Sequence, residues 1–342
     1  MEEVNFREIF KDTCYIPALR RMIETSGTTL SREGEKATEA FLAPLEGFIG
    51  IVMEHQDKGS IAPVKWIAIS FLRTAMFAGK PVLLAEAYEN FPFLERPVMG
   101  CELNAAWMFP GWDGFREELR KSIRQQSLGR YVRNPELKSY EAEAVSIVLR
   151  QLAMPLKFMI RGLESRGIGN RLADREHFVI SYGEYMDWQF PLMEIKEEVD
   201  LFLCDEKEDL TFRRFQGMHY ENKQFGSKVL DDCVFRDCTF QKTDFVGTKL
   251  RNVRFINCVF EDCRFEGVEL MGSSVLSSRL RRACFRRCRL MEGFYQEEQN
   301  SLFYCHAEFK WSLLEEVSWQ ETEISDAVYV DCQLFDVGEK RE

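Results

Sequence analysis

Cysteine and histidine are the residues of this 342-residue chain with the most chemistry to offer, and there are eleven and four of them. Cys233 and Cys238 enclose four residues, as do Cys258 and Cys263. Paired thiolates at close spacing hold zinc, but a four-residue gap lies at the outer edge of ligand spacing. These cysteines, with Cys288 and Cys332, instead share one position of a five-residue period, where a thiol serves as a small hydrophobe. Disulfides need an oxidising compartment, and nothing in the sequence points to one. His55, His177, His219 and His306 show no ligand spacing. His177 precedes an alternating apolar run, with Glu184 and Asp187 at its far end. Convergence of the three would permit acid–base work, and ordinary surface placement is the expectation. Gly167 to Arg171 (GIGNR) reads as a helix end rather than a phosphate loop. There is no Walker-type phosphate loop, no dinucleotide-binding glycine fingerprint and no G-x-S-x-G elbow. No catalytic residue, metal site or cofactor is therefore expected, and an enzyme is the less favoured reading.

The elements that place these residues follow a period of five. From Leu230 every fifth residue is apolar and large or branched: Phe235, Phe240, Phe245, Leu250, Phe255, Phe260, Phe265, Leu270, Val275, Leu280, Phe285, Leu290 and Tyr295. Two residues before most of them stands a small one, such as Cys233, Thr243, Thr248, Cys258, Ser273 or Ala283. The phase then slips by one and resumes at Tyr304, Phe309, Leu314, Trp319, Ile324, Tyr329 and Leu334. Five matches neither a helix nor a plain strand. It requires a chain that turns a corner every five residues, so that four sides close a coil of about twenty and successive coils stack at strand spacing. The large residue fills the axis, the small one also points inward, and the other three face out.

Spaced in this way, DDCVF-RDCTF-QKTDF and INCVF-EDCRF resemble the pentapeptide-repeat family. The resemblance covers the last third of the chain and implies a right-handed quadrilateral β-helix. It implies no reaction, because the family is defined by its coil rather than by a site. A twenty-residue coil stacks Arg251 over Asp231, Arg281 over Glu261, Arg282 over Asp262, Arg286 over Glu266 and Arg289 over Glu269. The basic run RRACFRRCRL (Arg281 to Leu290), which alone reads as a phosphate-binding patch, is then answered by the coil below.

The net charge of −11 and pI near 5.2 argue against general nucleic-acid or anionic-membrane binding. The start, MEEVNFREIF, lacks the basic and apolar regions of a secretory signal, and no apolar stretch is long enough to span a bilayer. A cytoplasmic protein is expected. The first 205 residues carry no five-residue period and read as a separate, mainly helical α+β domain. Residues 206–342 form the coil domain, regular from about 228. In the front region, Val4 to Glu24 reads as a helix broken by Gly27-Thr28-Thr29. A second follows from an N-cap at Ser31 to His55, and others span Phe115 to Ser127 and Leu137 to Arg166. Val82 to Tyr88 and Phe178 to Tyr185 read as strands, while Trp66 to Phe77 fits either period poorly. The segment between Asn90 and Gly114 carries Phe91, Phe93, Trp107, Phe109 and Trp112. It reads as a lid on the helical core, with a ligand or partner pocket as the sharper possibility. Residues 194–209 are acidic and read as the connection. Leu210, Phe215, Tyr220 and Phe225 read as an irregular lead-in coil.

Two functions fit. One is a non-enzymatic scaffold that binds another protein through the rigid faces of the coil. Some members of the resembled family bind type II topoisomerases by mimicking duplex DNA. Here residues 226–342 carry 21 acidic and 16 basic side chains, including the arginine belt, so an acidic rod is diluted. The other is a ligand-responsive or catalytic front domain with the coil as a dimerisation stalk. Under both, the end of the coil around Tyr329, Leu334 and Phe335 exposes strand edges and core residues, and end-to-end homodimerisation is expected there.

Overall fold

A computed structural model describes residues 6–166, 168, 177–196, 199–204, 208–290, 306–324 and 328–339. The chain divides into two compact units with the break between Glu194 and Ile195.

The front unit opens with α1 (Phe6–Phe10), a π-helical turn (Lys11–Tyr15) and α2 (Ile16–Arg32), run together without interruption. Gly27 does not break this helix. The Thr25 and Thr28 hydroxyls donate back to the carbonyls of Arg21 and Glu24, and the buried face of Ala18, Leu19, Met22 and Ser26 keeps the segment packed. The next helix, α3 (Gly34–Asp57), accordingly starts beyond the expected Ser31 cap. Residues 66–77 resolve into β1 (Trp66–Phe71) and a short α4 (Arg73–Phe77). Then come β2 (Val82–Tyr88), β3 (Met99–Asn104), α5 (Trp112–Gln125), α6 (Asn134–Ile160), α7 (Gly162–Ser165), β4 (Phe178–Glu184) and β5 (Gln189–Ile195). The strands form one mixed sheet in the order β3-β2-β1-β4-β5, with β1 antiparallel to β2 and parallel to β4.

Alternation along these strands gives the sheet two different faces. Ile67, Ile69, Phe71, Leu83, Ala85, Ile180 and Tyr182 share the helix-covered face, where the Tyr182 hydroxyl donates to the Leu149 carbonyl of α6. Trp66, Ala68, Ser70, Glu86, Tyr88 and Ser181 share the other. Gly183 is obligatory in the β4–β5 hairpin, since a Cβ there would lie 1.8 Å from the Trp188 carbonyl oxygen.

The second unit is a four-sided coil. Strands 214–216, 234–236, 254–256, 274–276, 308–310 and 329–330 stack in parallel on one side, and two further parallel sheets form the next two sides. Single bridges from Val229 through Lys249 and Glu269 to Arg289 close the fourth. The axis is filled by stacked rings. Phe240 lies 4.7 Å from Phe260, Phe245 lies 4.6 Å from Phe265, and Phe285 lies 4.4 Å from Phe265 and from Trp319. Phe235 and Phe255 stack at 5.1 Å. All eight are nearly inaccessible.

The two inner positions per repeat do different work. Small residues there are donors as well as fillers. The hydroxyls of Thr243, Thr248 and Ser312 donate to the carbonyls of Tyr220, Gly226 and Val275 in the preceding coil. The thiols of Cys233, Cys238, Cys258, Cys263, Cys288 and Cys332 make the same kind of bond, each to a carbonyl 23 residues earlier. Most corners among the described residues are turned by a left-handed residue two past the core residue, as at Asp232, Asp237, Gly247, Asn252, Asn257, Asp262 and Gly267. Asp, Asn and Gly bear that backbone at least cost, so one of the three outward positions is less free than its composition implied.

Two expectations change. Leu210, Phe215, Tyr220 and Phe225 form a regular first coil, with Phe215 paired to Phe235 and Tyr220 to Phe240. Large side chains fit two before them because no coil lies beneath. Leu201 and Phe202, read as part of an acidic connection, pack on this coil. Leu201 is buried in its core, and the Phe202 ring stands edge-on to Tyr220 and Phe225 at 5.7 and 5.2 Å. The slip of phase is an insertion. Pairing offsets are twenty up to Leu290, but Val275 pairs with Phe309, Leu280 with Leu314 and Phe285 with Trp319, an offset of 34. Fourteen extra residues (34 − 20) therefore lie between Leu290 and Ala307, whose backbones bond at 2.7 Å. Tyr295 and Tyr304, placed on the period, lie outside the described residues.

Candidate functional site

Of the sequence features able to do chemistry, none assembles into a reactive site among the described residues. His177 is exposed before β4, while Glu184 is buried at the other end of the same strand, more than about 20 Å away by strand rise. Glu184 is held by Arg73, whose Nε donates to Oε1 at 2.6 Å, and by the Ser146 hydroxyl of α6. That ion pair, invisible to local sequence patterns, fastens α6 to the ends of β1 and β4. Residues 167 and 169–171 of the glycine segment lie outside the described residues. Burial pushes the Cys288 thiol up to about 11 and the Cys263 thiol up to about 12, which keeps both protonated and unreactive, whereas the hydrogen bond with Cys258 holds the Cys238 thiol down.

The arginine belt encircles one coil and is neutralised from both sides. Arg282 pairs with Asp262 at 2.6 Å, Arg281 with Glu261 at 3.6 Å and Arg289 with Glu269 at 3.7 Å, as the twenty-residue stack requires. Arg251 pairs with Asp231 in the same way. Arg286 differs from expectation, turning upward across the insertion to Glu321 at 3.2 Å, while Glu266 takes Arg287 and Arg264. Arg279 also turns upward, to Glu315 at 2.7 Å. The carboxyls of Asp262 and Glu266 are held below the usual range, in each case chiefly by hydrogen bonds from their arginines. A belt engaged with its own carboxylates is poorly placed to take phosphates.

The far end of the coil differs from the middle. Its last strands, 329–330, 333–335 and 338–339, lie at sheet edges. Leu334 occupies an axial position yet is 44% exposed, and Phe335 is 57% exposed beside it. Tyr329 is half-buried against Phe309. At the opposite end a cleft of about 470 Å³ is lined by Glu208, Asp209, Thr211, Phe225, Ser227 and Lys228. The acids of that cleft are committed, Asp209 to Lys196 at 2.7 Å and Glu208 to Arg213 at 2.6 Å.

The aromatic segment of the front unit does not form one pocket. Phe109 and Trp112 are buried, and with half-buried Trp107 they pack on Phe71, Phe115 and Phe41. Phe91 and Phe93 instead meet Trp66, Tyr88 and Tyr185. No ring contact among the described residues joins the two groups. Between them runs β3, a strand within what reads as a loop.

A coil of five-residue sides with an apolar axis, small inner donors and left-handed corners defines the pentapeptide-repeat β-helix. Residues 225–269 match the family model described as pentapeptide repeats in nine copies. Among solved structures the chain is similar to a trypsin-treated form of QnrB1, a plasmid-mediated fluoroquinolone resistance protein. The identity is 15%, over 39% of this chain and 65% of that one, with a TM-score of 0.26. It is also similar to the pentapeptide repeat protein Rfr23 of the cyanobacterium Cyanothece 51142, at 11% identity over 37% of this chain and 84% of that one, TM-score 0.22. A third is HetL, involved in heterocyst differentiation regulation in Nostoc sp. strain PCC 7120. There the identity is 12% over 39% of this chain and 90% of that one, TM-score 0.14. No curated protein matches the chain by sequence. No helix among the described residues is long and apolar enough to cross a membrane.

Proposed function

We propose that this protein is a non-enzymatic interaction scaffold, whose coil pairs end to end with a second copy and presents its sides to another protein. The observation that carries the reading is the exposure of Leu334 and Phe335 on unpaired strand edges at the far end of an otherwise closed stack. Open strand edges beside apolar side chains are a template for pairing with another chain. Two copies meeting at this end bury the same patch on each, as a twofold interface requires. The paired belt favours this reading over DNA mimicry, because a band of arginines interrupts any continuous acidic side.

The test is sedimentation equilibrium of the full chain beside a Leu334→Asp/Phe335→Asp variant. Wild type is expected to sediment as a dimer and the variant as a monomer with unchanged circular dichroism. Affinity capture from native cytosol with both proteins then asks whether the sides retain a partner when the end is blocked. A wild-type chain that stays monomeric at high concentration removes the pairing. Capture of no protein by either form removes the scaffold.

A further inference from the structure

The second face of the front sheet, itself covered, carries chemistry that a scaffold does not use. Glu86 is only 7% exposed, and its one hydrogen-bond partner among the described residues is the Tyr88 hydroxyl, which donates to Oε2 at 2.8 Å. No arginine, lysine or histidine of the described residues lies within ion-pair distance of it. The other deeply buried carboxylates of this unit are answered, Glu184 by Arg73 and Glu141 by Arg116 and Arg120. A carboxylate taken out of water is costly unless a positive charge or several donors replace the solvent. Glu86 has one neutral donor and an oxygen to spare.

Its surroundings are aromatic. Trp66 pairs with Tyr88 across β1 and β2, and the next pair along is Ala68 with Glu86. Ala68 is fully buried and places only a methyl group beside Glu86 on this face. The Phe91 ring lies 6.4 Å from Trp66, and the Phe93 ring meets Tyr88 edge-on at 6.1 Å. Phe93 holds a left-handed backbone, φ 65°, which is strained for a bulky side chain and marks a position kept for a purpose. Its loop is tethered by Glu95, which accepts from the Asn90 amide at 2.6 Å. On the neighbouring strands the polar groups are spent on each other. The Trp66 indole donates to Ser181, Ser181 to Gln189, and the Gln189 amide to Ser70. The group on this face without a charged partner among the described residues is a carboxyl, and its neighbours on the face are aromatic. Quaternary and other organic ammonium ions are recognised by that combination.

We propose that Glu86, Tyr88, Trp66 and Phe93 form a binding site for a small organic ammonium ion, with Phe93 as the gate that the ligand displaces. Tyr88 fixes one carboxylate oxygen, and burial, together with the hydrogen bond to Glu86, holds the Tyr88 phenol well above its ordinary range, so it remains a donor. The other oxygen takes the cation, and Phe93 leaves its left-handed backbone as the ring swings out.

The experiment titrates the full, ¹⁵N-labelled chain with tetramethylammonium chloride and with methylammonium chloride, against sodium chloride at equal ionic strength. The indole N–H of Trp66, assigned by Trp66→Phe, is the reporter. It is expected to shift saturably with one or both ammonium salts and to stay in place with sodium. Glu86→Gln is expected to weaken binding at least about tenfold without moving the starting spectrum. If Glu86→Gln does not fold, Glu86→Asp withdraws the charge by one methylene and is expected to weaken binding severalfold. A Trp66 indole that follows neither ammonium salt overturns the proposal. So does equal binding by wild type and a folded Glu86 variant.

Discussion

Replacing Phe260 by alanine tests whether stacked rings hold the coil together. Phe260 is 1% exposed. Its ring lies 4.7 Å from Phe240 and nearly parallel to it, 5.1 Å from Phe255, and 5.9 Å from Phe265. Truncating a buried phenylalanine costs about 3–5 kcal/mol in lost transfer energy and cavity, and each ring pair is worth about 0.5–1.5 kcal/mol. These three contacts, with a fourth to Phe245 at 6.5 Å, place the loss in the upper half of that range, near ~4 kcal/mol. A coil touches only its two neighbours, so the loss is concentrated at the pairings of strand 259–261 with 239–241 and 279–281. Amide hydrogen exchange reads this directly, because it reports local opening where a single melting curve for two units does not. At about 1.4 kcal/mol per tenfold, amides of residues 254–266 should exchange about a thousandfold faster, with those of Ile67 and Ile69 as internal reference. Acceleration below about tenfold refutes the reasoning, since the axis would then be held by its backbone ladder alone. Phe260→Asp is expected to cost more than ~3 kcal/mol as well, as it strands a charge in the axis, and a stable soluble form of it contradicts the coil.

Ser273 accepts from the Val253 amide and donates to the Leu250 carbonyl. Ser273→Ala should therefore cost about 1–3 kcal/mol by chemical denaturation, while Ser273→Cys, which restores a donor used elsewhere in the coil, should cost less; equal losses would reduce this position to packing. The carboxyl of Asp262 is held below its ordinary range by Arg282, so its stabilising effect is present above its unfolded pKa, about 3.9, and is lost as pH falls through the lower folded value. The coil's melting temperature should fall as pH drops from about 5 to about 2, and less steeply in Asp262→Asn; parallel curves for the two proteins would show that the belt does not contribute.

Much of the coil was legible because its signal repeats. Phe240, Phe260 and Leu280 make one contact at one offset, and each added coil tests the same rule again. Arg282 over Asp262 followed from the twenty-residue offset, whereas Arg286 escaped it because fourteen residues intervene before its carboxylate. The donor role of the small residues was not legible, because Cys, Thr and Ser read equally as fillers until the carbonyl 23 residues back is in view. In the front unit only single elements could be read. Period and propensity gave Val82–Tyr88 and Phe178–Tyr185 as strands, the second one residue longer than β4, but β3 was hidden in a segment rich in rings, Pro and Gly. Glu86 gave no local sign of interest, since its burial depends on strand pairing with Trp66 and Ala68 and on a loop that follows it.

The insertion before Ala307 shows what the coil demands of its sequence. Val275 still pairs with Phe309 in the same register that joins it to Phe255, so the side keeps its place although fourteen more residues separate the two strands. A slip of one residue would turn Phe309 and Trp319 outward and bring polar neighbours to the axis. Both are instead buried, Phe309 at 1% and Trp319 at 2%. Residues at a corner are thus under no constraint of length, only of return point, while the axial and small positions are constrained in every coil. Variation that creates a new binding surface can therefore enter as insertions between sides and at the outward positions that do not need the left-handed backbone. The open end is the exception, because there the constrained axial position itself, at Leu334, meets solvent.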